Sequence, residues 1–140
     1  MAGVVVLDAS VLIAFFESSD PFHGRAIEIV TTAIGQGADL IANELTVAEF
    51  LVGPARSGIV ASAEAGLSQL GIGRRGFPTS FASRLATIRH RARVKLPDAA
   101  VILTAVDAAE AGTGAVSVAT FDARLRAGAA TYGITAAIED

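Results

Sequence analysis

The sequence predicts an α/β fold with a mostly parallel central sheet. Three observations point that way. Apolar runs of strand length alternate along the chain with segments of helical periodicity. The first run, over residues 3–8, is continuous and β-branched, the pattern of a buried strand. Aspartates stand where such runs stop: Asp8 ends the first, and Asp122 follows the run at 115–121. In open parallel sheets, ligands bind at the carboxyl ends of strands where strand order reverses.

The elements follow in order. Residues 3–8 make the first strand. Residues 10–17 read as a short helix, with Ser10 placed to cap its start. Residues 21–34 carry Phe22, Ala26, Ile29, Val30 and Ala33 at helical spacing and stop at Gly35 and Gly37. Residues 38–42 form a second strand. Residues 45–53 open a third helix, which Pro54 ends or kinks. Residues 59–70 form another helix, and 72–77 are a short strand candidate. Residues 79–92 read as helical and basic. Pro97 suits a first helical turn, and the apolar pattern of 98–111 carries that helix to Gly112. A strand at 115–121, a short helix at 122–130 and a last strand at 134–138 complete the chain.

Composition narrows the chemistry. A chain of 140 residues suggests one domain, 1–140, with enough length for a core. The apolar fraction of 52% lies slightly above the globular norm of about 45–50%. There is no cysteine, which excludes disulfides, thiolate metal sites and a cysteine nucleophile. His23 and His90 are the only histidines, which argues against a histidine-rich zinc site. No apolar run approaches the roughly 18 residues of a membrane span, and Asp8 interrupts the only candidate signal core. A soluble, cytoplasmic protein is expected. The net charge of −3 is unlike a strongly cationic nucleic-acid binder, but the charge is segregated. Seven of the 11 basic residues lie between Arg74 and Lys95, and no acid falls between Glu64 and Asp98. Such a patch can bind anions.

Four acids stand beside element boundaries: Asp8, Glu49, Asp98 and Asp122. Each has an ordinary explanation. Thr46 and Glu49 have the spacing of a capping box. Asp98 suits the positive end of its helix dipole. Asp122 can cap the following helix. Asp8 can pair with an arginine or cap free amides. If the four share one strand-end cleft, their charges repel. A hard divalent cation, Mg²⁺ or Mn²⁺, removes that conflict through oxygen ligands and suits phosphodiester hydrolysis.

Four stretches carry a family resemblance: "VVVLDASVLIAFF", "LTVAEFLVG", "KLPDAAVILTA" and "VATFDARL". In this order, spanning nearly the whole chain, they resemble PIN-domain ribonucleases, more narrowly VapC-type toxins of toxin–antitoxin pairs. The resemblance implies a three-layer α/β/α fold and metal-dependent endonuclease action on RNA, by direct attack of water on the phosphate. It maps the metal-site acids onto Asp8, Glu49, Asp98 and Asp122. Asp8 and Asp98 would hold the principal ion, and Glu49 would ligate it or position the attacking water. Asp122 would complete the site or serve a second ion. Ser10 and Thr120 occupy the supporting hydroxyl positions. Many relatives carry an aromatic residue after the fourth acid, where this chain has Ala123, Arg124 and Leu125. The resemblance also implies a homodimer and a VapB-type antitoxin that inserts a segment near the active site, for which a groove near Phe15, Phe16 and Phe50 is the expected receptor.

The basic segment has two readings. Arg84, Arg91 and Lys95 can lie near one helix face, flanked by Arg89 and Arg93, as a solvated surface. Alternatively they steer phosphates toward the acids, with Arg74, Arg75 and Arg124 as further candidates. No aromatic stacking platform is visible beside them. Phe15, Phe16, Phe50, Phe77 and Phe81 read as core first and interface second. Two rival functions stand against ribonuclease. One is a non-catalytic binding module whose acids serve as caps. The other is an α/β phosphatase-like or phospho-acceptor domain using Asp8 as nucleophile. The haloacid-dehalogenase pattern needs a second acid two residues on, where this chain has Ser10. A receiver domain needs a lysine after a late strand, and the only lysine, Lys95, precedes a helix.

Overall fold

The β-branched run at the start of the chain becomes the central strand of a parallel sheet. The computed structural model describes residues 3–112 and 114–137. Its elements are β1 (Val4–Leu7), α1 (Ala9–Phe16), α2 (His23–Gly35), β2 (Asp39–Asn43), α3 (Glu44–Arg56), α4 (Val60–Gln69), β3 (Gly73–Arg75), α5 (Phe81–Ala92), α6 (Leu96–Glu110), β4 (Val116–Ala119), α7 (Ala123–Thr131) and β5 (Thr135–Ala136). Among the described residues all five strands pair in parallel, in the order β3-β2-β1-β4-β5. Val5 sits between Leu40 on one side and Ser117 on the other.

Side-chain alternation sends β1 to both faces of the sheet. Val5 and Leu7 join Leu40 and Ala42 against α1, α2, α3 and α4. Val4 and Val6 join Ile41 and Val118 against α5, α6 and α7. Each fully buried valine or leucine of this kind contributes about 1.5–3 kcal/mol. The result is helix, sheet and helix in three layers. A continuous β-branched strand is what such double burial requires.

Strand order reverses at β1. The chain steps outward from β1 to β2 and β3, then crosses back to β4 on the other side. The carboxyl ends of β1 and β4 therefore flank the switch point, where the fold leaves a crevice. The ladder runs one step past β1: Asp8 N–H donates to the Ala119 carbonyl at 3.0 Å. This bond holds Asp8 beside the residues that follow β4.

Several local expectations are corrected. Ser10 does not cap α1. Asp8 holds the N-cap position in extended backbone, and its carbonyl accepts from Val11 and Leu12. Pro54 does not end α3. It lies in the last turn, where one lost amide is tolerated, and the helix runs to Arg56. The capping box of Thr46 and Glu49 does not form. Asn43 caps α3, its side chain accepting from Leu45 N–H at 2.8 Å, and Thr46 is buried one turn further on. The short strand candidate at 72–77 is real but three residues long. Ile138 of the expected last strand lies outside the described residues. Among the described residues no helix is long and apolar enough to cross a membrane.

Candidate active site

Asp8 is 7% exposed, and its carboxylate does not cap α1. Two hydroxyls hold it instead. Ser10, in the first turn of α1, donates to Asp8 Oδ2 at 2.8 Å. Thr120, wholly buried just past β4, donates to the same oxygen at 2.7 Å. Each hydroxyl also accepts a backbone amide, Phe121 N–H on Ser10 at 3.2 Å and Asp122 N–H on Thr120 at 3.0 Å. A buried carboxylate bonded in this way has a fixed orientation. The Arg126 guanidinium donates to the Thr120 carbonyl at 3.3 Å, which ties the same loop to α7.

The other three acids arrive from separate elements. Glu49 projects from the second turn of α3, and Asp98 stands in the first turn of α6. Both are half-buried. Burial pushes the Glu49 carboxyl above its usual range, and the charges of Asp8 and Asp98 push it further, against a smaller pull from Lys95. Burial also raises Asp98, with Asp8 and Asp122 adding to it and Lys95 opposing. The four acids are therefore neighbours: Glu49 feels Asp8 and Asp98, and Asp98 feels Asp8 and Asp122. Asp122 itself is exposed, and its Oδ1 caps α7 by accepting from Arg124 N–H at 2.8 Å and Leu125 N–H at 3.3 Å. The capping explanation holds for Asp122 and fails for Asp8 and Glu49.

The donor set is oxygen throughout, which suits a hard divalent cation. Among the described residues no group of three or more His, Asp or Glu side chains is placed to hold a metal ion. An ion such as Mg²⁺, which keeps several waters and takes only one or two carboxylates directly, fits an open arrangement of this sort. One turn before Glu49 on the same helix face, the buried Thr46 hydroxyl has no hydrogen-bond partner among the described residues. It is a further oxygen donor or acceptor on that face.

The basic residues divide into two groups. Arg89, His90, Arg93, Lys95 and Arg124 line a cleft of about 760 Å³ together with Asp98 and Asp122. Arg84 and Arg91 share a helix face as expected, but Lys95 does not join them, because it lies past the end of α5 at the N-cap of α6. Arg84 bonds Glu110 at 2.8 Å, and Arg91 sits over the Tyr132 ring at 5.3 Å. Both line a different hollow. Arg74 bridges Glu44 and Glu64 across α3 and α4, and the bond to Arg74 lowers the Glu44 carboxyl's proton affinity.

One feature had no legible signal in the sequence. Phe22 and Phe121 stack with ring centroids 4.6 Å apart and planes 14° from parallel, beside Ser10 and Asp122. Their spacing of 99 positions hides the pair. An apolar groove between α1, α3 and α4 is lined by Ile13, Phe16, Phe50, Val52 and Ile59, with Glu49 at its edge. Its position agrees with the expected groove near Phe16 and Phe50. Gly66 makes room in this layer: a Cβ there would lie 2.9 Å from the Phe16 ring.

Fold and site together define a class of protein. It is an α/β protein with clustered acids at the switch point of a parallel sheet and with cations along the adjoining cleft. The family model described as PIN domain matches residues 5–130, and the chain belongs to the PIN-domain family. This is a nuclease-type fold, and PIN nucleases typically use divalent metals. The comparison with curated proteins gave no match.

Proposed function

We propose that the protein is an endoribonuclease dependent on Mg²⁺ or Mn²⁺, and that it acts as the VapC-type toxin of a toxin–antitoxin pair. One observation carries the nuclease reading. Four acids from four separate elements interact at the switch point, and the most buried of them, Asp8, is held by two hydroxyls instead of serving as a cap.

Asp8 and Asp98 are the residues that would hold the ion. Both donors to Asp8 fall on Oδ2, so Oδ1 would be the oxygen available to a cation. When bound, the ion would neutralise charge on the scissile phosphate and make a water acidic enough to attack it. Glu49, half-buried beside Asp8 and Asp98, would orient that water and take up its proton. Asp122 keeps Oδ1 on the α7 amides, and its Oδ2 would be the oxygen available to complete the site. Arg93, Lys95 and Arg124 draw the phosphate backbone along the cleft. The alternative of a binding module whose acids serve helix starts is supported at Asp122, which caps α7, and at Asp98 in the first turn of α6.

The purified protein should cleave RNA with Mn²⁺ or Mg²⁺ and stop in EDTA. Asp8→Asn and Asp98→Asn should abolish cleavage while the chain stays folded. Full activity of either variant would sink the reading. For the toxin role, expression should arrest growth, and Asp98→Asn should lift the arrest. The partners proposed are a second copy of the chain and a VapB-type antitoxin segment seated in the groove of Ile13, Phe16, Val52 and Ile59, all of them exposed. A cognate antitoxin should lose its inhibition when Ile59→Asp places charge in that groove.

A further inference from the structure

We propose that the stacked rings of Phe22 and Phe121 form a docking step for one unpaired nucleobase next to the scissile phosphate. The substrate would then be single-stranded at the point of cleavage. This inference rests on the nuclease reading above and adds the form of RNA it selects.

The two rings belong to distant parts of the chain and meet at the rim of the acidic site. With Ser10, Ile13, Asp20 and Asp122 they line a hollow of about 340 Å³. Phe22 remains 50% exposed although it is stacked, so part of its ring stays open to a ligand. The ring is also held in place. Asp20 Oδ1 accepts from Phe22 N–H at 2.8 Å, and His23 Nδ1 pairs with the Ala14 carbonyl at 2.7 Å, which anchors the start of α2. Phe121 N–H donates to the same Ser10 hydroxyl that holds Asp8. The step is thus connected to the metal-site aspartate through one side chain.

The chemistry of the hollow selects its occupant. Asp20 and Asp122 in its wall repel a phosphate. They can accept hydrogen bonds from the ring or exocyclic N–H groups of a base. An aromatic face offers stacking to every base without regard to sequence. A base held in a duplex has both faces covered, so only an unpaired nucleotide can use the step. The backbone phosphates would meanwhile lie over the acids and the cleft of Arg93, Lys95 and Arg124.

Binding can be read apart from cleavage. In an Asp98→Asn background with Mg²⁺, the anisotropy of a short fluorescein-labelled single-stranded oligoribonucleotide reports affinity. Phe22→Leu should weaken binding by about five- to a hundredfold, and Phe22→Trp should restore it. Binding of the same sequence as a duplex should not change with Phe22→Leu. A 2-aminopurine in the oligonucleotide should be quenched on the parent protein and not on the leucine variant. Equal affinity of the parent and the Phe22→Leu protein, or dependence on Phe22 for duplex as much as for single strand, would overturn the step. So would a parent that does not bind the single strand, which would leave the rings to an apolar protein partner. Cleavage by the Asp98 protein with Mn²⁺ tests the nuclease reading separately. Binding that depends on Phe22 without cleavage would sink that reading alone.

Discussion

Thr120 donates its hydroxyl to Asp8 Oδ2 at 2.7 Å, across 112 positions of sequence. The bond joins the residue after β1 to the residue after β4, the two strands that flank the switch point. Thr120→Val keeps the shape and removes the donor. It also takes away the acceptor of Asp122 N–H. The variant should lose about 1–3 kcal/mol of stability, because buried polar groups lose their partner. Cleavage should fall about ten- to a hundredfold, as it does when the partner of a metal ligand is removed. Thr120→Ser should recover most of both. Thermal melts and initial cleavage rates check this.

Stability without metal should fall as pH rises. Glu49 and Asp98 have carboxyls raised above the ordinary 4.5 and 3.8. Between those ordinary values and the raised ones, the native state binds more protons than the unfolded state. The contribution of these groups is therefore present at low pH and is lost as pH climbs through the raised values. In EDTA the melting temperature should decline over that window, superimposed on whatever the remaining groups do. Asp98→Asn should flatten the decline and melt higher than the parent at neutral pH. Adding Mn²⁺ should reverse the order, since only the parent gains binding energy, about 2.7 kcal/mol at a hundred times Kd.

The two groups of cations should behave differently toward salt. Arg93, Lys95 and Arg124 border the cleft beside Asp98 and Asp122. Alanine at each should lower the slope of log affinity against log salt by about 0.7 for every phosphate of single-stranded RNA that is no longer neutralised. Arg74→Ala and Arg84→Ala should leave that slope alone, because these side chains are committed to Glu44 and Glu64 and to Glu110. Anisotropy titrations at several salt concentrations separate the two outcomes.

Arg93 sits at φ 58°, in the left-handed region, as the C-cap of α5. A side chain there costs about 1 kcal/mol that glycine does not. Arg93→Gly should raise the melting temperature by roughly 3–5 °C and weaken RNA binding. That pair of results would show that the strain at Arg93 serves the side chain's contact with RNA.

Strand and helix identity was legible because period and length agree in this chain: β1, α2 and α6 all read directly from apolar spacing. The caps were not. Whether Ser10 or Asp8 starts α1 depends on where the chain turns after the Asp8 amide joins the β4 ladder, a pairing no local pattern records. Asn43 displaced the apparent capping box because the strand before it runs straight into α3, and its amide donates to Thr104 at 3.3 Å on another helix. The basic run looked continuous, but the faces of α5 divide it, with Arg89 lining the cleft beside Arg93 and Lys95, and Arg84 and Arg91 lining another hollow. Asp8, Glu49, Asp98 and Asp122 were nameable from boundaries and family resemblance. Their mutual proximity is a property of strand order, which the spacing of four acids does not encode. The Phe22 and Phe121 stack escaped for the same reason.

The link between Asp8 and Thr120 also makes the site a late product of synthesis. Asp8 leaves the ribosome more than a hundred residues before the donor that orients it and the strand that pins its amide. A chain that stalls before β4 has its first aspartate and no defined place for it. Until β4 has been made and has paired with β1, the crevice that gathers these acids does not exist.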